Sequence, residues 1–235
     1  MFNGYGIYFN NLTTEDLELN ISERPELPTP QRRYKETEIP GANGTYVEED
    51  GFEDIPLRIS FNFPVKEDLW NKFNRVKKWI NLIEDNRLIL SENTYITYRV
   101  KKVEMANIVR EYNLVSEFEL IFTCESFPYI TQDLNPIEIL DTNKILNCGE
   151  FIAKPMLHIK GSGKIKLIFN NKVFEIENVE NEITIDSTEE VLLKNNSIAL
   201  NKNKGEYPVL TVGENTFSYE GNITSIIAIL NTTIY

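Results

Sequence analysis

A hydroxyl or thiol nucleophile needs a base beside it, and His158 is the only histidine in the chain. It stands in Met156-Leu157-His158-Ile159, an alternating run, and reads as a strand residue rather than a general base. Structural or catalytic zinc asks for His and Cys clustered at short spacing. Cys124 and Cys148 form no C-x-x-C pair and are expected to be reduced and packed. With 36 Asp and Glu in the chain, no single carboxylate pair stands out as a glycoside-cleaving dyad, because the separation that matters is spatial. The acidic stretch Glu48-Glu49-Asp50, Glu53-Asp54 lacks the ligand pattern of a calcium loop and reads as solvated acidity. Gly161-Ser162-Gly163 is followed by a strand pattern rather than by a helix with a phosphate-loop lysine, so a hairpin turn is expected there. No catalytic, cofactor-binding or metal-binding residue is assigned, and the chain is not expected to be an enzyme.

The bulk properties narrow the partners. Twenty-four Lys and Arg against 36 acids leave a net charge of −12, which disfavours phosphate backbones and anionic lipid. Residues 1–10 show no basic and apolar leader pattern, and no apolar run approaches the roughly 18 residues that span a bilayer. A protein made and kept in a cytoplasm is expected, with neither sequence-specific nucleic acid nor membrane as partner. At 235 residues and 41% hydrophobic, the chain has the length and apolar content for two small cores.

Periodicity then assigns the elements. Tyr5-Gly6-Ile7-Tyr8-Phe9 and Leu17-Glu18-Leu19-Asn20-Ile21 alternate like strands. Pro25, Pro28, Pro30, Pro40, Gly41 and Gly44 make residues 22–54 read as a long loop, a length that points to an arm or contact loop. Ile55 to Phe63 alternates and stops at Pro64. From Lys66 to Asp85 the residues Leu69, Trp70, Phe73, Val76, Trp79, Ile80 and Ile83 recur at helical steps, predicting one amphipathic helix whose stripe must cover a sheet. Tyr95 to Val100 and Phe118 to Phe122 add strands. Pro128 to Asn143 reads as a connection, with the boundary near Pro136. Beyond it come only short strands: Lys164–Phe169, an Asn170-Asn171 turn, Lys172–Val179, Ile183–Asp186, Val191–Leu193, Ser197–Leu200, Thr216–Glu220 and Ile223–Leu230. Their spacing is that of a sandwich. The fold class is thus mainly β: a β-rich α+β domain over 1–135 with one amphipathic helix, then a β-sandwich over 136–235.

One further pattern is carried by turns. Asn147-Cys148-Gly149, Ala153-Lys154-Pro155, Gly161-Ser162-Gly163, Ile183-Thr184-Ile185-Asp186, Gly205-Glu206-Tyr207-Pro208 and Gly213-Glu214-Asn215 follow one another in an order and spacing that resembles the C-terminal half of siphophage distal tail proteins. The N-terminal half is similar to the same family in Arg24-Pro25-Glu26-Leu27-Pro28, Ile39-Pro40-Gly41-Ala42-Asn43-Gly44-Thr45, the strand after them and the Trp-bearing helix. It departs from the family at Ala42 and Asn43, where a charged and an acidic residue are common, and at Tyr207 and Val212, where Phe and Pro are common. The resemblance implies a homo-hexameric ring built by 1–135 and a galectin-like β-sandwich, 136–235, on its outside. The implied partners are the tail tube protein and a tail-tip hub or tail-associated lysin, in a virion tail assembled after synthesis in a bacterial host's cytoplasm. A carbohydrate-binding module touching the host wall is the alternative; with both tryptophans on the helix stripe, Tyr207, Phe217 and Tyr219 would be its aromatic platforms.

Overall fold

The computed structural model describes residues 4–41, 43–64, 68–111, 114–195 and 197–235, and for 107–111 and 114–116 the backbone alone. Contacts divide the chain into two units, Met1–Pro128 and Tyr129–Tyr235.

The first unit holds β1 (Ile7–Phe9), β2 (Leu12–Thr13), β3 (Asn20–Ile21), β4 (Arg32–Glu38), β5 (Thr45–Phe52), β6 (Ile55–Asn62), α1 (Leu69–Asn81), β7 (Arg87–Leu90), β8 (Ile96–Glu111) and β9 (Leu114–Cys124). Seven strands run in the order β2-β1-β7-β8-β9-β6-β3, antiparallel in every pair. Alternation explains the inward face: Ile55, Leu57, Ile59 and Phe61 of β6 are buried. They meet Phe118, Leu120 and Phe122 of β9 in the same core.

Helix α1 closes that core with Leu69, Phe73, Val76, Trp79 and Ile80. Burying each such side chain contributes about 1.5–3 kcal/mol. Its aromatic rings meet those of the sheet edge-on, Phe73 against Phe118 at 5.6 Å and Trp79 against Phe9 at 5.4 Å. Two polar contacts fix its C-terminal end. The Trp79 indole Nε1 donates to the Phe9 carbonyl at 2.7 Å. Asn10, left-handed at φ 48°, donates its amide to the carbonyls of Trp79 and Leu82 at 2.7 Å each. The same side chain accepts from the Glu84 and Asp85 N–H groups, so carbonyls that a helix end leaves open are satisfied by the β1–β2 turn. The helix is shorter than the 66–85 periodicity suggests, and Lys66 lies outside the described residues. Trp70, placed on the apolar stripe by spacing, is 56% exposed.

Residues 22–54 are not a structureless loop. β4 and β5 pair as a separate two-stranded sheet, Glu36 opposite Val47 and Thr37 opposite Tyr46. Their residues are exposed along both strands except for Phe52. With neither face buried there is no apolar alternation, and a periodicity reading cannot see the ribbon. Ala42 in its connection lies outside the described residues.

The second unit contains β10 (Tyr129–Ile130), a 3₁₀ turn (Thr131–Leu134), β11 (Ile137–Glu138), β12 (Lys144–Asn147), β13 (Met156–Phe169), β14 (Lys172–Val179), β15 (Glu182–Asp186), β16 (Val191–Lys194), β17 (Ser197–Ile198), β18 (Asn203–Lys204) and β19 (Gly213–Ile229). Residues 129–135 belong to this unit, which moves the boundary back from Pro136. The Ile130 N–H donates to the Thr232 carbonyl and the Leu230 N–H to the Asp133 carbonyl, both at 3.0 Å.

Two long strands bend the sheet. The first half of β13, Met156–Lys160, lies between β15 and the last part of β19. Its second half, Ile165–Phe169, lies between β14 and the first part of β19. Both halves feed one core that contains Leu157, Ile159, Leu167, Phe174, Ile185, Phe217 and Ile226. β19 carries an extra residue at the bend, where Lys160 faces Ser225 and Gly161 faces Ile223. That bulge switches its buried set from Phe217 to the opposite parity of Ile226 and Ala228. Gly161-Ser162-Gly163 is therefore a mid-strand bend rather than a hairpin turn, and the two strands expected over 216–230 are one.

Among the described residues no helix is long and apolar enough to cross a membrane. A Cβ on Gly161 would sit 2.5 Å from the Asn222 carbonyl oxygen, so Gly161→Ala must push the bent strands apart. It is expected to lower stability by about 2–3 kcal/mol, while Ser162→Ala, one exposed residue away, changes it by less than about 0.5 kcal/mol. Urea unfolding of the two variants checks this; equal midpoints would contradict the bend as a tight crossing.

Candidate functional site

The residues singled out for chemistry are dispersed. His158 is half-buried on the outward side of β13, its Nδ1 3.0 Å from the Thr184 hydroxyl and its Nε2 3.7 Å from a Glu182 carboxylate oxygen. Its other cross-strand neighbour is Ile227. The Thr-His-Glu row is a cross-strand contact set in which the Thr184 hydroxyl alone is within hydrogen-bond distance of the ring. Among the described residues no group of three or more His, Cys, Asp or Glu side chains could hold a metal ion.

The cysteines separate. Cys124 is buried in β9, and Cys148, expected to be packed, is exposed. The acidic stretch Glu48–Asp54 lies on and just after β5, where Glu49 pairs with Arg32 at 2.6 Å and Asp54 with Lys101 at 2.7 Å.

The turn motifs are structural braces. Asn147 is 1% exposed; its amide donates to the carbonyls of Phe151 and Leu210, and its carbonyl accepts from the Gly149 N–H. Ala153 and Leu210 exchange backbone hydrogen bonds at 2.9 and 2.8 Å. Asn215 is fully buried, accepts from the Thr211 N–H at 2.8 Å and from Asn170 at 2.6 Å, and donates to the carbonyls of Thr211 and Gly213. Asn170 and Asn171, at φ 48° and 65°, form the expected two-residue turn. Gly205 holds φ 100° with the Val173 carbonyl against it, a place where a Cβ has no room.

Of the aromatic residues offered as sugar platforms, Phe217 is 3% exposed, while Tyr207, tilted against Phe174 at 4.8 Å, and Tyr219, 6.2 Å from Phe217, are half-buried. A cavity of about 150 Å³ opens beside Ile152, Phe169, Phe174, Tyr207 and Val209. The Lys172–Glu206 ion pair at 2.6 Å stands among its lining residues. Its floor is apolar and its polar groups are already paired, so it offers little for orienting a hydroxylated ligand.

The feature that asks for a partner is the β4–β5 ribbon. Tyr34, Tyr46 and Val47 are each at least half exposed on it, and an isolated two-stranded ribbon is marginal in water. Residues 36–48 carry Glu36, Glu38 and Glu48 and no cation. The sequence marked this segment as an arm by its length; the signal that could have shown a ribbon is Asn43-Gly44, a hairpin dipeptide.

The chain thus comprises a β-rich unit capped by one helix and a unit whose sheet folds over one core and is braced at its turns. No protein-family profile matches the chain, and no curated protein sequence matches it. Among solved structures the chain is similar to the Dit protein (gp 19.1) of phage SPP1, described as a paradigm of hub adsorption apparatus in phages infecting Gram-positive bacteria. Identity is 11% and the TM-score 0.62, covering 96% of this chain and 98% of that one. It is also similar to a chain of the phage P2 baseplate in its activated conformation with Ca, at 10% identity and TM-score 0.49 over 97% of each chain. The chain has the SPP1 Dit fold from end to end, the β-rich fold that its turn motifs led us to expect.

Burial pushes the Cys124 thiol up to about 12, so below that pH it is protonated as well as covered, and the thiolate is the reactive form. At pH 8 the native protein is expected to take up a thiol reagent at Cys148 alone, with Cys124 reacting only after unfolding. Rapid labelling of both in the native state, followed by mass spectrometry, would contradict the packing of β9.

Proposed function

We propose that this protein is a structural component of a phage tail tip: a ring-forming adaptor that joins the tail tube to the host-recognition apparatus. The observation that carries this reading is the end-to-end correspondence with SPP1 Dit, over 96% of one chain and 98% of the other. A shared fold alone does not fix function. One feature of the chain points the same way: the first unit presents an exposed ribbon that would gain cover by association.

In this reading the first unit, with residues 1–135 as its sequence-drawn extent, builds a homo-hexameric ring. The second is a galectin-like sandwich on its periphery. The tail tube protein docks on one side of the ring and a tail-tip hub or tail-associated lysin on the other, in a virion assembled in a bacterial host. The buried state of Phe217 and the paired polar groups around the apolar cavity favour this reading over the sugar-binding alternative.

Purified full-length protein is expected to form closed six-fold rings in negative-stain electron microscopy, since cyclic closure requires a heterologous contact repeated around an axis. A monomer at every concentration reached, or an open filament, would contradict the ring.

A further inference from the structure

The arm needs a seat, and the first unit presents one surface of complementary character. Along α1, Trp70, Asn74, Lys77, Lys78 and Asn81 all face water, spaced by three or four residues so that they form one stripe opposite the buried face. Trp70 opens that stripe with 56% of its surface exposed. A bare tryptophan is costly in water, and tryptophan is a residue type enriched at interface centres. From Leu69 to Ile83 the chain carries Lys72, Arg75, Lys77 and Lys78 and no acid, within a protein of net charge −12. Lys72 is taken by Glu18 at 2.5 Å, and Arg75 donates to the Asp16 carbonyl and lies 3.9 Å from Glu18. Lys77, above its own Phe73 ring at 4.7 Å, and Lys78 are the cations on the stripe.

One face of the arm has the converse composition. Glu36 stands opposite Val47 and Glu38 opposite Thr45, two carboxylates with Val47 50% exposed beside them, while Glu48 lies on the other face opposite Lys35. Acids beside an exposed aliphatic residue match lysines beside an indole.

We propose, on the premise of the ring described above, that the Trp70–Asn81 stripe of α1 is the seat for the acidic distal half of the β4–β5 arm of a neighbouring copy. The lysines meet Glu36 and Glu38, and the Trp70 indole meets Val47, three residues on one face of the ribbon. The contact is heterologous, arm on one copy and helix on the next, as a closed ring requires. The charged rim sets the rate and register of assembly more than its strength, and the tryptophan supplies the anchor.

The test uses the full-length chain mixed from unlabelled and ¹⁵N-labelled stocks and treated with a carbodiimide, which joins a carboxylate to an amine in direct contact. Peptides linking Glu36 or Glu38 of one isotope to Lys77 or Lys78 of the other are expected. In parallel, Trp70→Ala and the pair Lys77→Glu with Lys78→Glu are expected to weaken self-association at least about tenfold, the scale of losing an interface anchor or a charge pair. Adding Glu36→Lys and Glu38→Lys to the lysine reversal should restore it. These positions are exposed, and unchanged unfolding midpoints verify the fold of each variant. Rings that persist in the helix variants, or links that never cross between isotopes, overturn the seat while leaving the adaptor reading intact. Unmodified protein that stays monomeric overturns both.

Discussion

A two-stranded β-ribbon with water on both faces has no core, and the β4–β5 arm is such a ribbon. Its cross-strand contacts, including Arg32 on Glu49, are surface pairs worth at most about 1 kcal/mol each. The main sheet of the first unit is covered by conventional means: β6 and β9 share an aromatic face, and α1 covers it. The arm departs from this economy of burial, and evolution tolerates such a departure where the missing cover comes from outside the subunit. The proposed role in assembly rests on that constraint.

The same division runs through the second unit. Its signature turns carry glycine and asparagine, residue types that are reactive only in unusual settings, and the structure shows why those types are needed. Asn147 and Asn215 satisfy buried backbone groups that would each cost about 1–3 kcal/mol if left unpaired. Gly161 lets two long strands cross and bend the sheet over one core. The outward side of the β13–β14 half is laced by ion pairs, with Lys164 on Glu175 at 2.8 Å and Lys166 on Glu220 at 3.1 Å. Geometry, not chemistry, is what these motifs specify.

The legible parts of the fold were those with a periodic buried face. Leu69, Phe73, Val76, Trp79 and Ile80 announced α1, and Ile183-Thr184-Ile185 announced β15. Spacing misled where two faces carry similar side chains: Trp70 sits between stripe and solvent at a helical step that fits either, and only the position of the sheet decides. The ribbon was invisible because polar residues fill both of its sides. The bend at Gly161 was read as a chain reversal, since glycine serves equally for a turn and for a close strand crossing. The first unit ends near Pro128 rather than Pro136 because a local breaker says nothing of the tertiary hydrogen bonds that Ile130 and Asp133 make with residues just past β19.

Hydrogen–deuterium exchange of the arm as a function of protein concentration tests the central claim most directly. In dilute solution residues 32–52 should exchange almost as freely as an unstructured peptide, and on assembly they should become protected while the β6–β9 core stays unchanged. Exchange in the arm that is slow at every concentration, or fast in the assembled state, would contradict an arm whose stability comes from a neighbouring copy.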